Sequence, residues 1–125
     1  MAGVKIRSFE KGAVTLTLTP KEELTQMMGF VHAGVVTGLA DHAAGAAYAS
    51  ALPDDRICVT IELKINFLKP ALGETLAAEA SIISQSGKIG VLQSNIYCET
   101  TGKDRVLCAT AIVTLRSVAL ERRTS

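Results

Sequence analysis

Asp41 is the residue whose surroundings least suit it. The stretch from Gly29 to Leu52, GFVHAGVVTGLADHAAGAAYASAL, reads as a helix that is small and apolar on nearly every side, and a helix apolar all round is a buried one. Burying an isolated carboxylate carries an effective cost of several kcal/mol even after the surroundings relax. Asp41 therefore needs a partner or a chemical task, and the tasks open to a lone carboxylate are attack on an electrophilic carbon or removal of a proton. The plainer alternative is a carboxylate satisfied by Thr37 one turn earlier, or by a neighbouring strand. His42 is adjacent in sequence and points about 100° away on a helix, so it is read as packing or interface. No group of His, Asp and Glu has metal-ligand spacing, and no Ser or Cys sits in a nucleophile elbow. A metallohydrolase and a serine hydrolase are both unsupported.

The elements that must position Asp41 follow from periodicity. Val14 to Thr19 alternates Val14, Leu16 and Leu18 against threonines, the pattern of a half-buried strand. Lys21 to Gln26 is polar and leads through Met27 and Met28 into the helix, as a turn, short helix or strand. From Arg56 the alternation puts Ile57, Val59, Ile61, Leu63, Ile65 and Phe67 on one face and Arg56, Cys58, Thr60, Glu62, Lys64 and Asn66 on the other. That predicts a long strand with one wet or functional face. Lys69, Pro70 and Gly73 punctuate the chain before a strand from Thr75 to Ile83; Ser86-Gly87-Lys88 turns it into Ile89 to Glu99, and Thr101-Gly102-Lys103-Asp104 turns that into a last strand through Leu107, Ala109, Ala111, Val113 and Leu115. The charged tail Glu121-Arg122-Arg123 is expected to fray. Strands joined by short turns are antiparallel, so the sheet wraps the single helix. Gly34, Gly38, Ala40, Gly45 and Ala47 are expected to let the sheet backbone come close, at roughly 1 kcal/mol per glycine in helix propensity.

The whole chain sets bounds. Its 125 residues fit one domain, residues 1–125. The composition is 48% hydrophobic and only 4% aromatic, so the core is aliphatic and apolar surface is left for self-association. A net charge of +1 gives no electrostatic footprint for nucleic acid or an anionic membrane. Cys58, Cys98 and Cys108 form no C-x-x-C pair, suggesting neither a disulfide framework nor a zinc site and pointing to a reducing, cytoplasmic setting. The N-terminal MAGVKIRSFEKG has no signal-like apolar run, and the glycines, Asp41 and His42 of the helix argue against a membrane span.

Phe30-Val31-His32-Ala33-Gly34 followed by Asp41 resembles the H-G-G…D signature of the phenylacetate-degradation type acyl-CoA thioesterases, and Thr60 to Ala71 resembles that family's strand with its Pro-Ala turn. The likeness covers nearly the whole chain. It implies an α+β hotdog fold, a five- to six-stranded antiparallel sheet around one long central helix, in dimers or dimers of dimers with active sites at the subunit interface. By the same resemblance Asp41 is nucleophile or general base across that interface, and the Ala33 amide, with Gly34 beside it, is the oxyanion donor. A helix N-terminus presents unpaired N–H groups and the positive end of the dipole, which suits a thioester oxygen that gains charge. Ala33 stands where the family more often has Gly, and it keeps the N–H.

Gln26 lies where the phenylacetate-type enzymes carry Asn and the hydroxybenzoyl-CoA thioesterases with a helix-borne acid carry Gln; either amide polarises the thioester or holds water. Thr60 matches a Ser/Thr position that orients the water, although a threonine is ordinary in a strand. His32 matches a residue that fixes the neighbouring loop. For the coenzyme A phosphates Lys88 is the first candidate, with Lys64, Lys69 and Arg105 behind it, each also explicable as a solvated side chain; Asn66 and Pro70 would line the pantetheine path. The expected activity is hydrolysis of an acyl- or aryl-CoA to free acid and coenzyme A, without metal or separate cofactor. The rivals are a non-catalytic acyl-CoA-binding module and a hydratase or dehydratase, whose His-plus-acid motif the sequence lacks.

Overall fold

The computed structural model describes residues 3–20 and 33–120. Its elements are β1 (Val4–Glu10), β2 (Ala13–Leu18), α1 (Ala33–Ser50), β3 (Arg56–Phe67), β4 (Thr75–Ser86), β5 (Ile89–Glu99) and β6 (Val106–Ala119). One antiparallel sheet has the order β1-β2-β4-β5-β6-β3, with α1 on its inner face. This is the expected hotdog arrangement, with two corrections to the element order. A strand precedes the first expected one: β1 forms a hairpin with β2 around Gly12, which takes φ 81°, a left-handed conformation natural to glycine. The later strands are also no simple meander, because α1 carries the chain across the sheet and β3 pairs with β6 at the far edge while β4 returns to β2.

The core is aliphatic and tight. Val36, Leu39, Ala40, Ala43, Ala44 and Ala47 of α1 are buried against inward residues such as Leu16, Leu76, Leu92, Ile96 and Val113. Ala40 and Ala47, two of the small positions expected to let the sheet come close, are fully buried. Gly45 faces away from the sheet, and a Cβ there would meet nothing within 4 Å, so the expectation that sheet packing explains the helix glycines does not hold at this position. Nor is α1 buried all round: Ala33, Gly34, His42 and Ala49 are exposed and Asp41 is half-buried along one uncovered flank. The close fit that does demand glycine is at Gly90 of β5, where a Cβ would lie 2.6 Å from the buried ring of Tyr48.

Four bulges shift the registers, in β1, β3, β4 and β6. In β3, Thr60 pairs with Leu115 and Glu62 with Thr114, leaving Ile61 as the extra residue. A bulge of one residue reverses which side chains face inward. Before it Cys58 and Thr60 face the helix; beyond it Leu63 and Ile65 pack on the core. The expected single apolar face of β3 is thus divided, and Ile57, Val59 and Ile61 stand 44%, 46% and 55% exposed on an edge strand. β6 has its own bulge at Cys108, opposite Ile96 and Tyr97; both Cys108 and Leu107 therefore depart from strict alternation, and Leu107 falls opposite Tyr97.

Cys98 and Cys108 are disulfide-bonded, with Cα atoms 6.3 Å apart, and Cys58 is free. This corrects the expectation of separate thiols: ten residues apart in sequence, the two cysteines are returned to each other by the β5–β6 hairpin, which needs no C-x-x-C spacing. The outer face carries two ion pairs. Arg7 grips Glu99 through two hydrogen bonds of 2.7 and 2.6 Å, holding that carboxyl below its ordinary value, and Arg105 bonds Glu79 while lying 3.7 Å over the Tyr97 ring. Among the described residues no helix is long and apolar enough to cross a membrane.

Candidate active site

On the uncovered flank of α1, Asp41 meets Thr60. The Thr60 hydroxyl donates to Asp41 Oδ1 at 2.7 Å, joining the middle of the helix to the middle of β3. The bulge at Ile61 lets this contact exist, since it ends the run in which Thr60 faces inward and hands the rest of the inner face to Leu63 and Ile65. Of the two plain alternatives for Asp41, Thr37 is excluded, because its hydroxyl donates back to the Ala33 carbonyl at 2.8 Å, whereas a neighbouring strand does supply a partner, through Thr60. One step from this pair, the Cys58 thiol approaches the Gly45 carbonyl at 3.5 Å. Burial pushes the Cys58 thiol up from its ordinary value, and the nearby Asp41 carboxylate adds to the effect.

A cavity of about 400 Å³ opens at the start of α1. Ala33 and Val36 form one wall, and Phe67, Leu68 and the Lys69-Pro70-Ala71 turn after β3 form another, with Cys108 also lining it. The walls are mostly apolar, with the Lys69 ammonium as their cation, a composition suited to an uncharged chain that ends in a charged group. The structure thus brings Ala33, Lys69 and Pro70 together around one cavity. Asn66 is not among the lining residues; it pairs with Thr110 on the outer side of β3, one residue out of phase with Phe67. Phe67, Val36 and Cys108 were not singled out from sequence. The one available signal was Phe67 itself, an aromatic directly before the Leu-Lys-Pro turn.

Lys88 lies at the opposite end of the sheet. Its carbonyl accepts from Ser117 N, and Ser117 pairs with Cys58 near the start of β3, where Arg56 bonds the Ser117 hydroxyl and carbonyl. The cavity is at the other end of that strand, on the order of 30 Å away at the usual rise per residue. Gln26 and His32 lie outside the described residues, as do the segment from Lys21 to Gln26 and the tail Glu121-Arg122-Arg123.

Comparison with known proteins gives one family. Residues 28–105 match the model of the thioesterase superfamily. The 1,4-dihydroxy-2-naphthoyl-CoA hydrolase of Listeria monocytogenes is 31% identical over 106 residues, which cover 85% of this chain and 84% of that one. A thioesterase family protein of Silicibacter pomeroyi superposes with a TM-score of 0.89 at 32% identity, covering 94% of this chain and 85% of its own. A Streptococcus mutans protein crystallised with acetyl CoA superposes with a TM-score of 0.79 at 25% identity, covering 95% and 91%.

Proposed function

The chain belongs to the thioesterase superfamily, and on that premise we propose that it hydrolyses an acyl-CoA thioester to a free acid and coenzyme A, with Asp41 as nucleophile or general base. The observation that carries this reading is the Thr60–Asp41 hydrogen bond on the uncovered flank of the helix. With Oδ1 holding the Thr60 proton, Oδ2 is the oxygen that attacks the thioester carbon or takes a proton from water. The Ala33 amide at the start of α1 is assigned to the carbonyl oxygen, which becomes an oxyanion beside the positive end of the helix dipole. The cavity next to Ala33 receives the pantetheine arm, with Lys69 at the phosphates. Gln26, Gly34 and His32 are kept as assisting residues on the resemblance alone.

Distance requires two copies. Ala33 and Asp41 are eight positions apart on one helix, about 12 Å along its axis, so one chain's amide and its own carboxylate cannot both touch one thioester. The exposed Ile57, Val59 and Ile61 on the β3 edge supply an apolar surface for a second copy. Antiparallel pairing of two β3 edges would set the Arg56–Lys88 end of one chain beside the Phe67–Pro70 end of the other. That arrangement returns Lys88 to the coenzyme A phosphates from the partner subunit. Assembly as a dimer of dimers and a cytoplasmic setting belong to the same proposal, the latter no longer on the cysteines, since the Cys98–Cys108 disulfide removes that ground.

Thiol release from a panel of short-, medium- and long-chain acyl-CoAs and aryl-CoAs tests the activity. Turnover of at least one class is expected; saturable binding of acyl-CoA with no turnover of any would favour a binding module in its place. Thr60→Val removes the hydroxyl at nearly constant volume. It is expected to lower kcat by roughly tenfold through loss of one charge-assisted hydrogen bond, with KM little changed and with Thr60→Ser restoring most of the rate. Equal kcat in Thr60→Val and wild type would reduce Thr60 to an ordinary strand residue.

A further inference from the structure

We propose that the Cys98–Cys108 disulfide is a redox-operated clasp on the cavity at the start of α1, holding its wall when oxidised and loosening it when a dithiol reductant opens the bond. The inference rests on the thioesterase reading, which seats the pantetheine arm in that cavity, and adds how the site is regulated. Residues 67–71, the end of β3 and the turn after it, supply most of the cavity lining. That turn is anchored on one cysteine at its start and on the other at its end. At the start, the Cys108 carbonyl accepts from both Leu68 N, at 2.7 Å, and Lys69 N, at 3.1 Å, and Cys108 Sγ lies 3.7 Å from the Pro70 carbonyl oxygen. At the end, Gly73 rests on the Cys98–Glu99 backbone: a Cβ there would be 3.1 Å from the Glu99 carbonyl oxygen and 3.4 Å from Cys98 Cβ. Glu74 N donates to that same carbonyl at 2.9 Å.

The disulfide therefore joins the two anchors of one wall. Without it those anchors sit where the β5–β6 ladder is weakest, since Cys108 is the bulge residue left out of the pairing and Cys98 stands opposite Val106 in the last pair before the hairpin turn. Opening the bond frees the wall and leaves the sheet. Cys98 and Cys108 are only 4% and 1% exposed, but Cys108 lines the cavity, so a small dithiol reaches the pair from that side. One thiolate of the reductant attacks a cysteine sulfur and forms a mixed disulfide; its second thiol then closes the reductant's own disulfide, leaving Cys98 and Cys108 as two thiols. The wall carries Lys69, whereas Asp41 and Thr60 meet away from the turn, at mid-helix and mid-strand. Reduction therefore acts on the hold over coenzyme A more than on the chemistry.

The test measures the Kd of S-hexyl-CoA, a thioether with no thiol of its own, and KM and kcat for hexanoyl-CoA, on wild type in oxidised and in reduced dithiothreitol. Alkylation counted by mass reports the state of the pair: one adduct, at Cys58, when it is closed and three when it is open. Reduction is expected to raise Kd and KM by roughly fivefold, the factor by which a wall that holds its shape a fifth of the time weakens apparent affinity. Reoxidation restores both, and kcat changes little because uniform binding is what is lost. Linkage gives a second readout without turnover: saturating S-hexyl-CoA must shift the dithiothreitol ratio that half-opens the disulfide toward reductant by the same factor. Cys98→Ala breaks the bond and leaves the cavity lining in place, so it is expected to match reduced wild type and ignore the reductant. Three adducts in the oxidised buffer overturn the proposal, as does a response to reductant that persists in Cys98→Ala. Kd and KM indifferent to reduction overturn it too, even with a lower Tm, which would leave the bond a structural tie. A shift in Kd with no turnover of any acyl-CoA keeps the clasp and removes the thioesterase reading; turnover with Kd indifferent to reduction does the reverse.

Discussion

Asp41→Asn is expected to lower kcat for acyl-CoA hydrolysis by about a thousandfold, within the range that a positioned base or nucleophile contributes. The substitution keeps the shape of the side chain and leaves Oδ1 able to accept from Thr60, so Tm and solution mass should stay near those of wild type. What it removes is the negative charge, and with it the ability either to attack the thioester carbon or to bind a proton from water. Thiol release measured beside the thermal unfolding curve separates the chemistry from the fold. Retained turnover in a well-folded Asp41→Asn protein would move the catalytic acid elsewhere and leave the Thr60–Asp41 contact as structural. A burst of free thiol followed by slow turnover in the wild type would favour nucleophile over general base, because a covalent acyl-enzyme must then be cleared.

Gly90→Val is expected to be the most destabilising single change away from the site. The first side-chain atom alone would sit 2.6 to 2.9 Å from three carbons of the Tyr48 ring. Tyr48 is fully buried at the C-terminal end of α1, so the ring has no free volume into which to retreat. Overpacking of this kind costs about 1–3 kcal/mol, with valine at the upper end, which is a loss of roughly 10 °C in Tm for a chain of this size. Thermal unfolding of Gly90→Ala and Gly90→Val, alone and combined with Tyr48→Leu, checks the cause. The cost of Gly90→Ala should shrink when the ring is absent, and a cost that does not depend on the ring would place the strain in the β5 backbone instead.

Much of this architecture was legible in the residues. The hairpin turns at Gly87 and Gly102 were marked by glycines that do adopt positive φ, 58° and 80°, and the alternation of β5 survived into the fold, as did that of β4 and β6 outside their bulges. Asp41 stood out because an acid among alanines and glycines contradicts its setting, and the contact with Thr60 answers that contradiction. What alternation could not convey was its own interruption. Val59, Thr60, Ile61 and Glu62 continue an unbroken apolar-polar rhythm, yet one of them is left out of the pairing, so Ile57 and Leu63 end on opposite faces. The β1 hairpin was missed because Arg7, the residue between Ile6 and Ser8, breaks the period in the same way. The disulfide depended on a contact between strands that no spacing rule describes. Gly45 was misattributed for a different reason: propensity tells that a helix glycine is costly, but not which way it faces.

The extra residue at position 61 makes the site depend on counting. Thr60 and Leu63 are three steps apart, an odd spacing that would put them on opposite faces of a regular strand; they reach Asp41 and the core together because the bulge absorbs one residue between them. The side chain at 61 has little part in this, and the residue itself is the one that could be lost: excising it would leave Thr60 and Leu63 two steps apart, a spacing that shares a face in a regular strand, opposite the consecutive partners Leu115, Thr114 and Val113. A one-residue deletion at the bulge is therefore a milder change than one elsewhere in β3, where losing a single residue turns every side chain on one side of it to the other face.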